Sequence, residues 1–429
     1  MKTLRARVGV NLTSNAALTL VGFFTAPLLA RGLGVGGRGE VVAAIAPLAL
    51  CATAFNFGMP AAVTYFVARG GYRARAVLAR AGWVMLAASV PAMGATFAAR
   101  SWLSSGNGDL TRLISLSSVA IFPTMLVSLL QAAAIGRDLW GHVLAERVTS
   151  AVLRVILLAL LMFGGHLTPT NAVVVLCWVP VLAGTVYLFT WRALGEVAVK
   201  TGASHGLMRF GVQVWVGSVS GLLLSRLDQL LIVPLASTAA LGHYAVAVSL
   251  SEVALIVNST FREVMVTEAT RWFDGVRLAA ASRISTVAAL AIGAGCAAAS
   301  WVAIPVLFGP AFEAAVMPTW ILILAVILGS PGSLAGVALM ALGQPGLRSC
   351  SQAVGCAINV AALVVLVPTF GAVGAALATL VGNMTAANLA IYWLKTRHSV
   401  MARDFYRISR SDLVALTETA SRAFRGRSG

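Results

Sequence analysis

Apolar runs of about 20 residues recur along the whole chain, parted by short turns rich in glycine, proline or charge. A helix of that length crosses a hydrocarbon core of about 30 Å. The pattern predicts twelve spans, at 10–30, 41–66, 81–98, 113–135, 149–164, 171–190, 211–235, 244–265, 285–306, 317–341, 350–367 and 373–394. The expected fold is all-α: a polytopic membrane protein of about twelve transmembrane helices. Its outward turns are minimal, as in Gly165-His166-Leu167-Thr168-Pro169 and Pro368-Thr369-Phe370-Gly371, so no catalytic domain fits there.

Composition agrees, with 59% hydrophobic and 10% charged residues and a mean hydropathy of +0.90. A soluble domain carries roughly 25% charged residues, so this chain has too little charge to cover a water-facing surface. The net charge of +17 would suit nucleic acid, but its distribution argues for topology instead. With the N-terminus inside, 24 of the 31 Lys and Arg fall on the cytoplasmic side. Only Arg31, Arg38, Arg100 and Arg112 fall outside, and Arg154, Arg226 and Arg262 lie within spans. Both termini are therefore expected in the cytoplasm of a cell (inner) membrane, where the basic loops meet anionic lipid headgroups. Nucleic acid is not an expected partner. Most tryptophans, such as Trp83, Trp102, Trp301 and Trp320, fall near span ends as an interfacial belt requires.

The N-terminal stretch reads as an uncleaved first helix, because Asn11 and Asn15 interrupt it and no small-residue cleavage site ends it. Cys51, Cys177, Cys296, Cys350 and Cys356 are scattered through apolar segments and read as small core hydrophobes. The histidines are equally dispersed, so no metal site and no cofactor is expected.

A weak internal repeat divides the chain. Pro27-Leu28 matches Pro234-Leu235, and Ala134-Ile135-Gly136-Arg137 matches Ala341-Leu342-Gly343-Gln344, both at an offset of 207 residues. The expected organisation is two six-helix halves, 1–200 and 201–394, related by a pseudo-twofold axis along the membrane normal, with a basic tail at 395–429. Substrate sites in such transporters lie near the midplane between the repeats. In the tail, Leu413, Leu416, Ala420 and Phe424 recur at helical spacing behind Ser409 and Asp412, predicting an amphipathic helix on the inner leaflet.

Four blocks resemble the polysaccharide and lipid-linked oligosaccharide flippases (O-antigen-type translocases) of the MATE-like superfamily. They are Pro27-Leu28-Leu29-Ala30-Arg31-Gly32-Leu33-Gly34; Asp228-Gln229-Leu230-Leu231-Ile232 with Leu241-Gly242-His243-Tyr244-Ala245-Val246-Ala247; Pro305-Val306-Leu307-Phe308-Gly309-Pro310-Ala311-Phe312; and Ala341-Leu342-Gly343-Gln344-Pro345 with Gly371-Ala372-Val373-Gly374-Ala375-Ala376. Each block is mostly small and apolar, and their order and spacing carry the likeness. The resemblance implies a transporter, not an enzyme, that flips a polyprenyl-diphosphate-linked oligosaccharide to the outer leaflet by alternating access. Glycosyltransferases or a polymerase of the same pathway would be its partners. The same scaffold serves ion-coupled drug and cation antiporters and lipid II flippases. An integral-membrane glycosyltransferase or polysaccharide polymerase is the alternative of a different class.

A charge in mid-helix costs about 2.5–3.5 kcal/mol on insertion scales and therefore faces a cavity or a partner. Arg226 is read as a substrate-anion ligand or an ion-pair partner, and Asp228 and Glu252 as ion-coupling groups or structural partners. Arg154 and Arg31 either bind substrate or reach the headgroups. Guanidinium forks suit a diphosphate. Trp178 and Trp215 either stack on sugar or pack between helices. Arg262 and Glu263 read as interface residues.

Overall fold

The computed structural model describes residues 2–69, 74–187, 204–269 and 275–398. The expected tail helix, Trp191 and Trp272, and the side chains of Arg262 and Glu263 lie outside the described residues. Among those described, every long element is helical: α1 (Lys2–Ala54), α2 (Met59–Arg69), α3 (Ala74–Leu103), α4 (Gly108–Ser118), α5 (Ile121–Gly136), α6 (Trp140–Phe163), α7 (Pro169–Ala183), α8 (Ser204–Leu235), α9 (Thr238–Ala269), α10 (Gly275–Phe308), α11 (Val316–Ala341) and α12 (Pro345–His398), with a 3-10 turn at Pro310–Ala315. Six stretches are long and apolar enough to cross a membrane by length and composition, and α8, bent by 47°, would be a seventh. That makes the chain a multi-pass membrane protein. The helices group into two compact units, Met1–Ala245 and Val246–Gly429.

Several predicted spans differ in detail from the helices. The 113–135 run is divided between α4 and α5, and the 41–66 run between α1 and α2. Phe57 and Gly58 both take positive φ in the second break (46° and 67°). Conversely, two predicted turns lie inside continuous helical stretches. α1 changes direction at Gly34 (φ 68, ψ −175) and α12 at Gly371 (φ 53, ψ −123).

α12 shows why such a break is needed. Its 54 residues would run about 80 Å if straight, more than twice a hydrocarbon core. Instead its arms fold back on each other. A Cβ added at Gly374 would overlap the Leu366 carbonyl, one at Gly382 would sit 2.6 Å from Asn359 Cβ, and one at Gly355 2.7 Å from Ala386 Cβ. Residues near 366, 359 and 355 thus meet residues near 374, 382 and 386, an antiparallel hairpin closed on glycine. Lipid tails are as apolar as leucine, so helices in a bilayer associate through close packing of small residues. In the same unit, Gly332 of α11 touches Ala387, and Ala335, Ala338 and Leu339 pack with Ala390, Ile391 and Leu394.

In the first unit, polar side chains bridge helices through backbone carbonyls. Ser117 donates to Ala44 O at 2.7 Å, Thr64 to Ala132 O at 3.1 Å, and Trp215 Nε1 to Ala54 O at 2.8 Å. Gly39 meets the Thr238 carbonyl, and Gly242 meets that of Val35. Helix ends are closed locally. Asn107 accepts from Asp109 N and Leu110 N to start α4, and Thr168 with Pro169 starts α7. α6 ends in a Schellman motif at Gly165, and α11 in one at Gly343. The corresponding cap after α5 uses Asp138 (φ 60), which leaves Gly136 inside its helix although the sequence repeat pairs it with Gly343.

Candidate functional site

The last third of α8 holds the charges that the apolar pattern singled out. Asp228 is 4% exposed. Its Oδ1 accepts the Gln229 backbone N–H at 2.7 Å, and its Oδ2 accepts the Tyr244 hydroxyl. Tyr244 is itself buried, two turns into α9, so the carboxylate ties consecutive helices together. Arg226, two positions earlier, is exposed; that spacing puts it on another face of α8. Glu252, half-buried, lies further along α9. Tyr244 belongs to the block that carries the family resemblance, but its pairing with Asp228 is not visible in spacing alone.

The remaining sequence-predicted residues are spread over the first unit. Arg31 is exposed in the last turn before the Gly34 break. Arg154 is half-buried in α6, with its Nε buried and lacking a hydrogen-bond partner, and Glu146 is its charged neighbour two turns away. Glu146 is 7% exposed and accepts the buried Tyr187 hydroxyl at 3.3 Å. Sequence reasoning placed Glu146 in an inner loop and passed over it. Trp178 is half-buried in α7. Trp215 is held by Ala54 O and tilts 43° against Phe57 at 5.5 Å.

Two further polar groupings stand apart. In the first unit, Glu40 of α1 lies near Asp109 in the first turn of α4. In the second unit, Ser285 of α10 meets Ser330 of α11 at 3.3 Å. Among the described residues no group of three His, Cys, Asp or Glu is placed to hold a metal ion.

Residues 4–267, from the first turn of α1 through α8 and nearly all of α9, match the family described as polysaccharide biosynthesis protein. The chain belongs to that family. No curated protein matches the sequence. Among solved structures, this family member is similar to the lipid II flippase MurJ in an inward closed conformation. The TM-score is 0.73 and the identity 12%, over 94% of this chain and 91% of that one. It is also similar to an inward-facing multidrug resistance MATE family transporter of the MOP superfamily, with TM-score 0.71 and 12% identity over 89% and 94%. An outward-facing structure of a MATE family transporter gives 0.64 and 14%, over 90% and 93%. At such identities the likeness is one of fold. The polysaccharide biosynthesis family member thus has the all-helical fold of MATE transporters and MurJ.

Proposed function

We propose that this protein flips a polyprenyl-diphosphate-linked oligosaccharide from the cytoplasmic to the outer leaflet by alternating access. The observation that carries the reading is Arg226, a cation nine residues inside the C-terminal end of a long helix, in a chain of the polysaccharide biosynthesis family with a transporter's fold. A guanidinium binds the charged oxygens of a diphosphate through two parallel hydrogen bonds. Arg31 and Arg154 supply further positive charge along the route, while Asp228 and Glu252 couple an ion or hold structure. The polyprenyl tail stays in lipid as the saccharide crosses. Twelve spans, halves at 1–200 and 201–394 and both termini in the cytoplasm complete the reading, supported by the asymmetry of the basic loops. Glycosyltransferases or a polymerase of the same pathway act before and after the transfer.

The test is a deletion strain in which lipid-linked saccharide is probed from each face of the membrane. It should accumulate accessible only from the cytoplasmic side, and the wild-type gene should restore outer exposure. Unchanged exposure with a drop in resistance to cationic drugs would establish the antiporter instead.

A further inference from the structure

The hairpin between α3 and α4 holds a cavity that the proposed transport route does not use. It has a volume of about 630 Å³ and is lined by Arg100, Gly108, Thr111, Arg112, Ser115 and Leu116. Two of the four basic residues assigned to the outer side thus share one small space. Arg100 is built in: its guanidinium lies over the Phe97 ring at 4.5 Å, and Nη1 donates to Ser115 Oγ at 3.1 Å. A hydrogen bond of 2.7 Å between Ser104 and Thr111 closes the hairpin behind it. Arg112 is exposed and faces the Asp109 carboxylate at 3.9 Å.

Below the cavity, α3 presents an apolar stripe outward. Leu86, Val90 and Phe97 are exposed large hydrophobics at helical spacing, and Trp102 is exposed beside the turn. Leu86 to Phe97 rises about 16 Å, close to half a hydrocarbon core of about 30 Å. An acyl chain laid along the stripe therefore ends at Arg100. The charges fit a single anion: two guanidiniums line the cavity, while Asp109 and, beside it, Glu40 offset part of that charge, which matches a phosphodiester better than a diphosphate.

We infer that this cavity binds the phosphodiester headgroup of a resident anionic phospholipid of the outer leaflet, with one acyl chain along α3. The leaflet rests on the topology proposed above; the binding chemistry does not. The full chain, reconstituted in nanodiscs of equal parts phosphatidylcholine and phosphatidylglycerol, is extracted in mild detergent and its retained lipids are counted by native mass spectrometry. The wild type should keep phosphatidylglycerol selectively. Arg112→Gln, at an exposed position that folding tolerates, should weaken that selectivity, and Arg100→Gln/Arg112→Gln should lower phosphatidylglycerol retention about tenfold. Arg397→Gln, a charge change elsewhere, should leave it unchanged. Equal retention by wild type and a folded double variant overturns the inference. So does displacement of the lipid by inorganic phosphate, or preferential retention of an added polyprenyl diphosphate, which would assign the cavity to free anion or to cargo. Lipid counting needs no flipping, so a failed transport test leaves this result standing and the converse also holds.

Discussion

Tyr244→Phe removes one hydroxyl and nothing else, and the geometry around Asp228 fixes what that should cost. The carboxylate is 4% exposed, with one oxygen on the Gln229 N–H and the other on Tyr244. Water does not replace the phenol at such a site, so the second oxygen loses a charge-assisted hydrogen bond worth about 1.5–3 kcal/mol. At about 1.4 kcal/mol per tenfold, the folded population relative to unfolded should fall roughly 10- to 150-fold. Asp228→Asn carries no charge to strand, so adding Tyr244→Phe to it should cost much less. The assay is a double-mutant cycle on unfolding in detergent, which isolates the pair from other contacts of either residue. A coupling below about 0.5 kcal/mol would refute the argument that Tyr244 holds this carboxylate. Transport per folded molecule then separates the roles of Asp228. An ion-coupling carboxylate fails in Asp228→Asn at normal protein levels, whereas a structural one loses only abundance.

Arg226→Ala should abolish flipping per folded molecule and Arg226→Lys should retain part of it, since lysine keeps the charge without the fork; near-normal flipping in the alanine variant removes Arg226 from the site. Gly374→Ala should destabilise the protein by about 1–2 kcal/mol, because its Cβ meets the Leu366 backbone. Gly295→Ala in α10 opens on empty space and should stabilise by up to about 1 kcal/mol through helix propensity, so thermal unfolding should shift in opposite directions for the two. Cysteines at 205 and 275 should label only from the cytoplasm and those at 105 and 167 only from outside; labelling 275 from outside overturns the topology.

The turns that break the apolar pattern were the most legible part of the fold. Proline and glycine at 368–371 and 165–169 act on their own backbone, so position along the chain is enough to place a turn there. The break at Phe57 carries a positive φ on a bulky residue that no local rule favours, and it is held by tertiary packing: Gly58 touches the Gly211 backbone. The candidate site divides in the same way. Asp228 and Arg226 announce themselves as charges in apolar helices. Tyr244 and Tyr187 are ordinary aromatic residues in sequence, and only the meeting of helices makes them carboxylate partners. Glu146 was hidden because a charge near a helix end reads as interfacial, whereas the packed helices bury it.

The glycine-closed hairpin of α12 also bears on how the chain assembles. Its contacts join residues 8 apart near the turn (366 and 374), then 23 apart (359 and 382), then 31 apart (355 and 386). Separations this short cost little loop-closure entropy, so the arms can zip from Gly371 outward as soon as the second one emerges. A methyl group at Gly374 would stall the first tooth of that zipper, and the stall would appear as slower membrane integration in addition to the loss of final stability.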